Sequence, residues 1–573
     1  MKAKILAIIF ILFIGDSFAQ NPLKKQWDKR FGGTGTERMY SASPLICSDN
    51  GFLICGNSNS GISGDKTQIN WGSTSSVKMD YWVIRIDSLG NKLWDKRYGG
   101  IGEESLDFAV RSNNGSFVLA GISNSTVSGD VANINWTGNN DGGVWIIKID
   151  SAGNKIWDKG YETTMYDFLS VFLHTNDGGY MLGFISKSGI GGLKTDSCKG
   201  DNDIWIVKLD SIGNKEWDNT YGGINYDGIG DILQTSDNGY LIAGGSESPM
   251  GGDKTSEVPG TASSMDMWLI KIDSSGSKQW DQEYGGNLSD GISSIIATSD
   301  GNYVLYGFSC SSPSGNKTAI CKDTILYAND YWLVKIDSSG NMIWDKSFGG
   351  FKIEKTAYGN IIEDKDKGLI FSGISHSNAG ADKSENNIPT LVDYQIWLVK
   401  SDSLGNKLWD KTVNIDKVMG GFYYSFFSKM ILVSPGCFLI QTENNGGIVG
   451  EKSQLCWDTI GPSYEDDYWV VKYCDTSFVT STKKLLPKSR DISLAMQAYP
   501  NPFASELYVQ LSGKPNNVAA TYALLDVSGR LVLPTIESSA TSTKINTQKL
   551  LPGIYFLHAK TPKEQIVKKL VKL

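Results

Sequence analysis

Trp82-Val-Ile-Arg-Ile-Asp-Ser-Leu-Gly-Asn-Lys-Leu-Trp-Asp-Lys-Arg-Tyr-Gly-Gly100 is one copy of a hairpin that repeats along the chain. Residues 82–86 are a β-rich run. Asp87-Ser-Leu-Gly90-Asn91 is turn chemistry, with a glycine free to take positive φ, and residues 92–98 are the return strand. The Trp-Asp unit of this hairpin recurs at Trp27, Trp94, Trp157, Trp217, Trp280, Trp344 and Trp409, in steps of 60 to 67 residues. A second tryptophan recurs at Trp82, Trp145, Trp205, Trp268, Trp332, Trp397 and Trp469. In six copies it lies twelve residues ahead of the first kind, and the two series hold 14 of the 17 tryptophans. The structural reading of both series is core packing, because large rings fill the space between stacked sheets.

Each repeat also carries an upstream hairpin, with turns such as Ser48-Asp-Asn-Gly51 and Ser236-Asp-Asn-Gly239. Four short antiparallel strands, here called a to d, therefore recur seven times. This is the pattern of a seven-bladed β-propeller. Trp27 belongs to a strand d with no strand c before it, and Trp469 to a strand c after which the pattern lapses. The two ends complement each other, so an N-terminal strand at residues 24–31 is expected to close the last blade and remove two free sheet edges.

A third periodic position is an acid ten residues after each strand-d tryptophan: Glu37, Glu104, Asp167, Asp227, Asp290 and Glu354, with Met419 in the seventh copy. It opens strand a, the innermost strand, near the expected channel mouth. One reading has each carboxylate accepting backbone N–H groups at the blade-to-blade turn. The other is a ring that binds a polyhydroxylated ligand or a cation such as calcium. Otherwise no cofactor or metal is expected. The Asp-Ser-x-Gly turns supply one carboxylate each, too few for a calcium loop. The b–c connections carry Ser-Gly-Asp-Lys pieces, as at residues 63–66, and emerge on the same face of a propeller as the d–a turns. Trp71, Trp136 and Trp457 fall in these loops, outside the strand pattern, and are candidate ligand contacts with the six acids.

The chain has 573 residues, 11% aromatic and 64 of them glycine, as short aromatic strands with many tight turns require. A net charge of −8 makes nucleic acid an unsuitable partner. Three scattered histidines, His174, His376 and His558, argue against a His-based metal site or a Ser-His-Asp site. Lys2 and Lys4, an apolar run over residues 5–14 and Ser17-Phe-Ala19 read as a signal peptide, residues 1–19. No later run is long and apolar enough to span a membrane. Of eight cysteines, Cys310 and Cys321 share one loop and are the disulfide candidate, while Cys47, Cys55 and Cys437, in or beside strands, read as buried free thiols.

The repeats occupy residues 20–475 and a linker residues 476–494. Charge then changes sign: residues 491–573 hold nine Lys/Arg and five Asp/Glu, net +4, against −12 for the rest. Short strands there predict a small Ig-like β-sandwich over residues 495–573. Tyr499-Pro-Asn-Pro-Phe503, Leu525-Asp-Val-Ser-Gly-Arg-Leu531, Leu551-Pro-Gly-Ile-Tyr555 and Lys568-Lys-Leu-Val-Lys572 occur in this order. Together they resemble the type A C-terminal sorting domain of type IX secretion in Gram-negative bacteria. The resemblance implies Sec export to the periplasm, recognition by the outer-membrane translocon and its sorting machinery, and release or cell-surface attachment. It places the sorting signal at Pro500, Asn501, Pro502, Gly529, Gly553, Tyr555, Lys568, Lys569 and Lys572. The repeats bear a looser likeness to quinoprotein repeats, with the hairpin one residue shorter and no vicinal cysteine pair. The expected function is a non-catalytic surface or secreted module that binds a glycan or protein. The alternatives are a secreted glycoside hydrolase or lyase using channel-mouth carboxylates, or a purely structural envelope protein.

Overall fold

The structure is a computed structural model. It describes residues 22–72, 78–134, 136, 142–163, 167–257, 264–322, 328–356, 359–389, 394–415, 428–457, 465–477, 495–512, 519–526, 530–540, 542–561 and 565–572. The expected signal peptide, Met419, Gly529 and almost all of the expected linker lie outside these residues. The chain divides into two compact units at Ser481/Thr482.

The first unit is all-β and built of repeated four-stranded antiparallel sheets, as in a β-propeller. Seven such sheets are found among the described residues. The fourth is representative: Asp227–Gln234 (a), Tyr240–Ser246 (b), Asp266–Ile272 (c) and Lys278–Tyr284 (d), paired in that order. In the first and sixth sheets strand a is broken into two short pieces. The last sheet takes Ser428–Ser434, Cys437–Asn444 and Asp467–Asp475 from the end of the repeats and Leu23–Phe31 from their beginning.

The two tryptophan series have one structural explanation. In every sheet the strand-c indole Nε1 donates to the aspartate that follows the strand-d tryptophan. The pairs are Trp82–Asp95 (3.0 Å), Trp145–Asp158 (3.2 Å), Trp205–Asp218 (3.0 Å), Trp268–Asp281 (2.9 Å), Trp332–Asp345 (3.0 Å) and Trp397–Asp410 (2.9 Å). The seventh, Trp469–Asp28 (3.1 Å), joins residues 441 apart and fastens the N-terminal strand into the last sheet. The same carboxylates accept a backbone N–H from the b–c loop, Thr67 for Asp95 and Ser453 for Asp28. A buried indole N–H is thus satisfied, and loop, strand c and strand d are locked together.

All seven strand-c tryptophans are among the largest fully buried side chains. Between each sheet and the next lies one apolar cluster. The cluster that joins the last sheet to the first holds Phe31, Leu439, Tyr468 and Val470 against Phe52, Ile54 and Trp82. Strand-d tryptophans pack on the next sheet's turn glycine. Gly90 has φ +83°, and a Cβ there would sit 3.1 Å from the Trp27 ring, so both backbone and packing demand glycine. The turn itself is self-contained: Asp87 accepts from the Leu89 and Asn91 N–H groups and from the Asn91 amide.

The disulfide expectation is corrected. Cys310 and Cys321 are not joined to each other, and the bond is Cys437–Cys474. These two residues stand directly opposite each other on adjacent strands b and c of the last sheet. Cys321 instead donates to the Ser311 carbonyl at 3.0 Å. Cys437 is therefore not a free thiol, whereas Cys47 and Cys55 are free and buried.

Among the described residues the second unit has two antiparallel sheets. One orders Ala495–Tyr499, Glu506–Ser512 and Ser542–Asn546. The other orders Ile536–Ser538, Ala520–Asp526, Gly553–Lys560 and Gln565–Lys572. Phe503, Leu507, Leu524, Leu557 and Leu570 centre its core.

Candidate functional site at the loop face and channel

The Gly-Gly turns organise the loop face. In the turn leading into the first sheet, the Gly32 N–H donates to Asp65 (3.2 Å) and the Gly33 N–H to Glu37 (3.0 Å). Both acids belong to the sheet that follows. The pattern repeats at Gly99–Asp130 and Gly100–Glu104, and at Gly222–Asp253 and Gly223–Asp227. Each ring acid also takes hydroxyl hydrogen bonds from the Ser-x-Ser that ends strand b. Glu37 accepts from Ser58 (2.7 Å) and Ser60 (2.6 Å), Glu104 from Ser123 and Ser125, and Asp167 from Ser186 and Ser188. Asp290 accepts from Gly286 and Ser311, and Glu354 from Gly350 and Ser375. All six acids are buried.

Three ring acids meet a second acid, the residue that opens strand c of the preceding sheet: Asp467 for Glu37, Asp80 for Glu104 and Asp203 for Asp227; Asp266 and Asp330 open strand c at the equivalent places before Asp290 and Glu354. The first glycine leaves room for them. A Cβ on Gly99 would lie 2.5 Å from Asp80 Oδ1 and 2.7 Å from Glu104 Oε2. Burial pushes Asp80 up to about 8, helped by the Glu104 charge, and pushes Asp203 and Asp330 up to about 6. Glu37 and Asp467 are both raised, by burial first. Oδ1 of Asp80, Asp203, Asp227, Asp290 and Asp330 has no hydrogen-bond partner. Where strand c opens with Gly143 or Gln395 instead, the turn is not Gly-Gly but Glu162-Thr163 or Asn414-Ile415.

The lysine of the b–c loop is buried beside these acids. Lys66 Nζ donates to Ser58 Oγ at 3.1 Å and also to Asn70. Burial lowers it to about 8, with Glu37 and Asp80 opposing the shift.

Trp71 and Trp457 lie at equivalent places in adjacent loops, 42% and 46% exposed. The Trp71 indole donates to Asp130 (3.2 Å) with the Arg97 guanidinium 4.8 Å from its ring. Trp457 donates to Asp65 (3.0 Å) with Arg30 at 4.4 Å. Each clasps the next sheet's loop. Trp136 differs: it is buried, donates to the Ser125 carbonyl at 2.9 Å and packs against Gly143 and Gly160.

Reading the sequence missed the channel interior. A cavity of about 550 Å3 is lined by strand-a residues. At one register level the sheets present Phe108, Val171, Asp231, Ser294, Asn360 and Lys429 in chain order. Asp231 is fixed by Ser294 Oγ and the Ile295 N–H, both at 3.0 Å. Burial raises the Asp231 carboxyl and lowers the Lys429 ammonium, and each opposes the other's shift. No repeat motif marks these residues, because they are where the sheets differ from one another.

In the second unit, Asn501 Oδ1 accepts from the Val571 N–H (2.8 Å) and Phe503 N–H donates to the Val571 carbonyl (2.9 Å). Pro500, Asn501 and Pro502 are exposed. Lys572 lies over the Phe503 ring at 5.7 Å, and its Nζ donates to the Ala504 carbonyl. Tyr555 is buried with its hydroxyl on the Leu551 carbonyl (2.7 Å). Gly553 and Lys569 are exposed, and Lys568 is half-buried.

No curated protein matches the chain. Among solved structures it is similar to a protein of unknown function from Dyadobacter fermentans DSM 18053, at 8% identity and TM-score 0.38, covering 79% of this chain and 99% of that one. It is also similar to a Penicillium chrysogenum alpha-L-arabinanase, at 9% identity and TM-score 0.36, covering 64% and 92%. A Fusarium graminearum alpha-L-arabinofuranosidase follows at 10% identity and TM-score 0.37, covering 65% and 94%. The family model for the secretion system C-terminal sorting domain matches residues 497–573. That match takes in the Asn501–Val571 and Phe503–Lys572 contacts just described, so the C-terminal unit belongs to the type IX secretion sorting-domain family and the protein is exported, to be secreted or held at the outer-membrane cell surface.

Proposed function

We propose that the protein is a seven-bladed β-propeller delivered by its Ig-like sorting domain, and that it binds a glycan or protein without catalysis. The observation that carries this reading is the pair Trp71 and Trp457. Both rings are exposed on neighbouring loops of one face, each with an arginine stacked on it. Aromatic platforms of this kind bury area at low entropic cost when a ligand lies on them. The ring acids are not counted among the contacts, because all six are buried.

The test is a glycan and polysaccharide array probed with the secreted protein, with and without calcium. Binding that is lost in Trp71→Ala and Trp457→Ala and kept in Trp136→Phe supports the reading. Binding unaffected by either exposed tryptophan removes it. A second reading, a glycoside hydrolase or lyase, draws on the raised Asp231 carboxyl inside the channel. New reducing ends released from an array polysaccharide, and lost in Asp231→Asn, would favour it.

A further inference from the structure

At the channel waist the repeated sheets differ from one another chemically. On one side, Phe108 and Val171 present apolar surface. On the other, four successive sheets present Asp231, Ser294, Asn360 and Lys429. Asn360 is spent on its neighbour: its amide and carbonyl oxygen bond the Met430 backbone at 2.8 and 3.0 Å. Asp231 is held in one orientation by Ser294 and Ile295, yet its oxygens keep acceptor capacity.

Lys429 is different. The buried loop lysines all have acceptors, as Lys66, Lys383 and Lys452 show. Among the described residues none accepts a hydrogen bond from Lys429, and no ion pair joins it to Asp231, although the two attract across the cavity. A half-buried ammonium that faces the cavity with no acceptor from the chain is open to an anion there. Ser41, Ser43, Ser170 and Ser293 add hydroxyl-bearing wall to the same cavity of about 550 Å3. That size is typical of sites for small molecules.

We propose that this waist binds a hydroxylated carboxylic acid of monosaccharide size, its carboxylate paired with Lys429, its hydroxyls donating to Asp231 and its C–H face against Phe108. A lone positive charge selects an anion. Serine hydroxyls and a fixed carboxylate select hydroxyls, and the apolar arc rejects a second charge. The site is separate from Trp71 and Trp457, so either can fail alone.

The experiment is calorimetric titration of the full-length protein with glucuronate, with glucose as the neutral probe. Saturable uptake of glucuronate and none of glucose is expected. Lys429→Met should weaken it by on the order of ten- to a hundredfold, the worth of a charge-assisted contact, and Trp71→Ala should leave it unchanged. Glucose bound as tightly as glucuronate, an unchanged affinity in Lys429→Met, or no uptake by folded wild-type protein would each overturn the proposal. If Lys429→Met does not fold, wild-type protein is treated with an amine-reactive ester and mapped by peptide mass spectrometry. Glucuronate should slow modification of Lys429, and an equal rate with and without it would also overturn the proposal.

Discussion

Asp467 Oδ1 and Glu37 Oε2 converge on Gly32: a Cβ on that glycine would lie 1.8 Å from the first and 2.8 Å from the second. The two carboxyls sit at the seam where the last sheet meets the first, and they occupy the volume a side chain would need. Gly32→Ala is therefore expected to cost about 1–3 kcal/mol through overpacking. The second change Asp467→Gly should recover part of that loss, since Gly143 replaces the aspartate where the chain has no Gly-Gly turn. Denaturant melts of the two single variants and the double variant give the coupling.

The paired carboxyls set a pH dependence. Burial holds Asp80 at about 8 and Asp203 and Asp330 at about 6, all above the unfolded carboxylate value of about 4. A raised folded value means that the folded state keeps protons which the unfolded state releases. This contribution is complete below the unfolded value and is lost as pH rises through 6 and then 8. Tm should fall steadily from pH 5 to pH 9, by buffer-matched calorimetry. Asp80→Asn, neutral at every pH, should flatten the upper part of the curve, and a variant curve as steep as wild type would contradict this account.

The ring closes through Asp28. Burial alone would raise its carboxyl, but hydrogen bonds from Ser453, Trp469 and Lys25 outweigh it and hold it low. Asp28→Ala leaves a buried indole N–H and a loop N–H without acceptors, at about 2–4 kcal/mol for the two. Hydrogen exchange should rise in Leu23–Phe31 and Asp467–Asp475 together, while the equivalent Asp95→Ala should loosen only the first sheet.

Thiol chemistry tests the disulfide correction. Denatured but unreduced protein should titrate as six thiols, with Cys310 and Cys321 among them. Replacing both Cys437 and Cys474 with serine opens a loop of 37 residues and should cost roughly 3–4 kcal/mol by loop entropy.

Much of the architecture is legible in the sequence. The spacing of Trp82 and Trp94 is that of partners in one hairpin, and the orphan strand around Trp27 announced the closure that Asp28 and Trp469 make. The sorting motifs were equally readable, because Pro500-Asn-Pro502 and Lys568-Lys569 are local in sequence. Repetition carries this information: a contact made in every sheet leaves a period in the chain.

Other features depended on which residues the sheets bring together. The strands, the turns and the exported fate follow from periodicity and local motifs, which are properties of neighbours along the chain. Tertiary packing sets Cys437 opposite Cys474, buries Trp136 but not Trp71 and Trp457, and brings Glu37, Glu104 and Asp227 up to a second carboxyl. It also puts Asp231 and Lys429 in one cavity. Those pairings depend on the register between strands and on contacts between sheets far apart in sequence, and at the waist they are made by side chains that do not repeat.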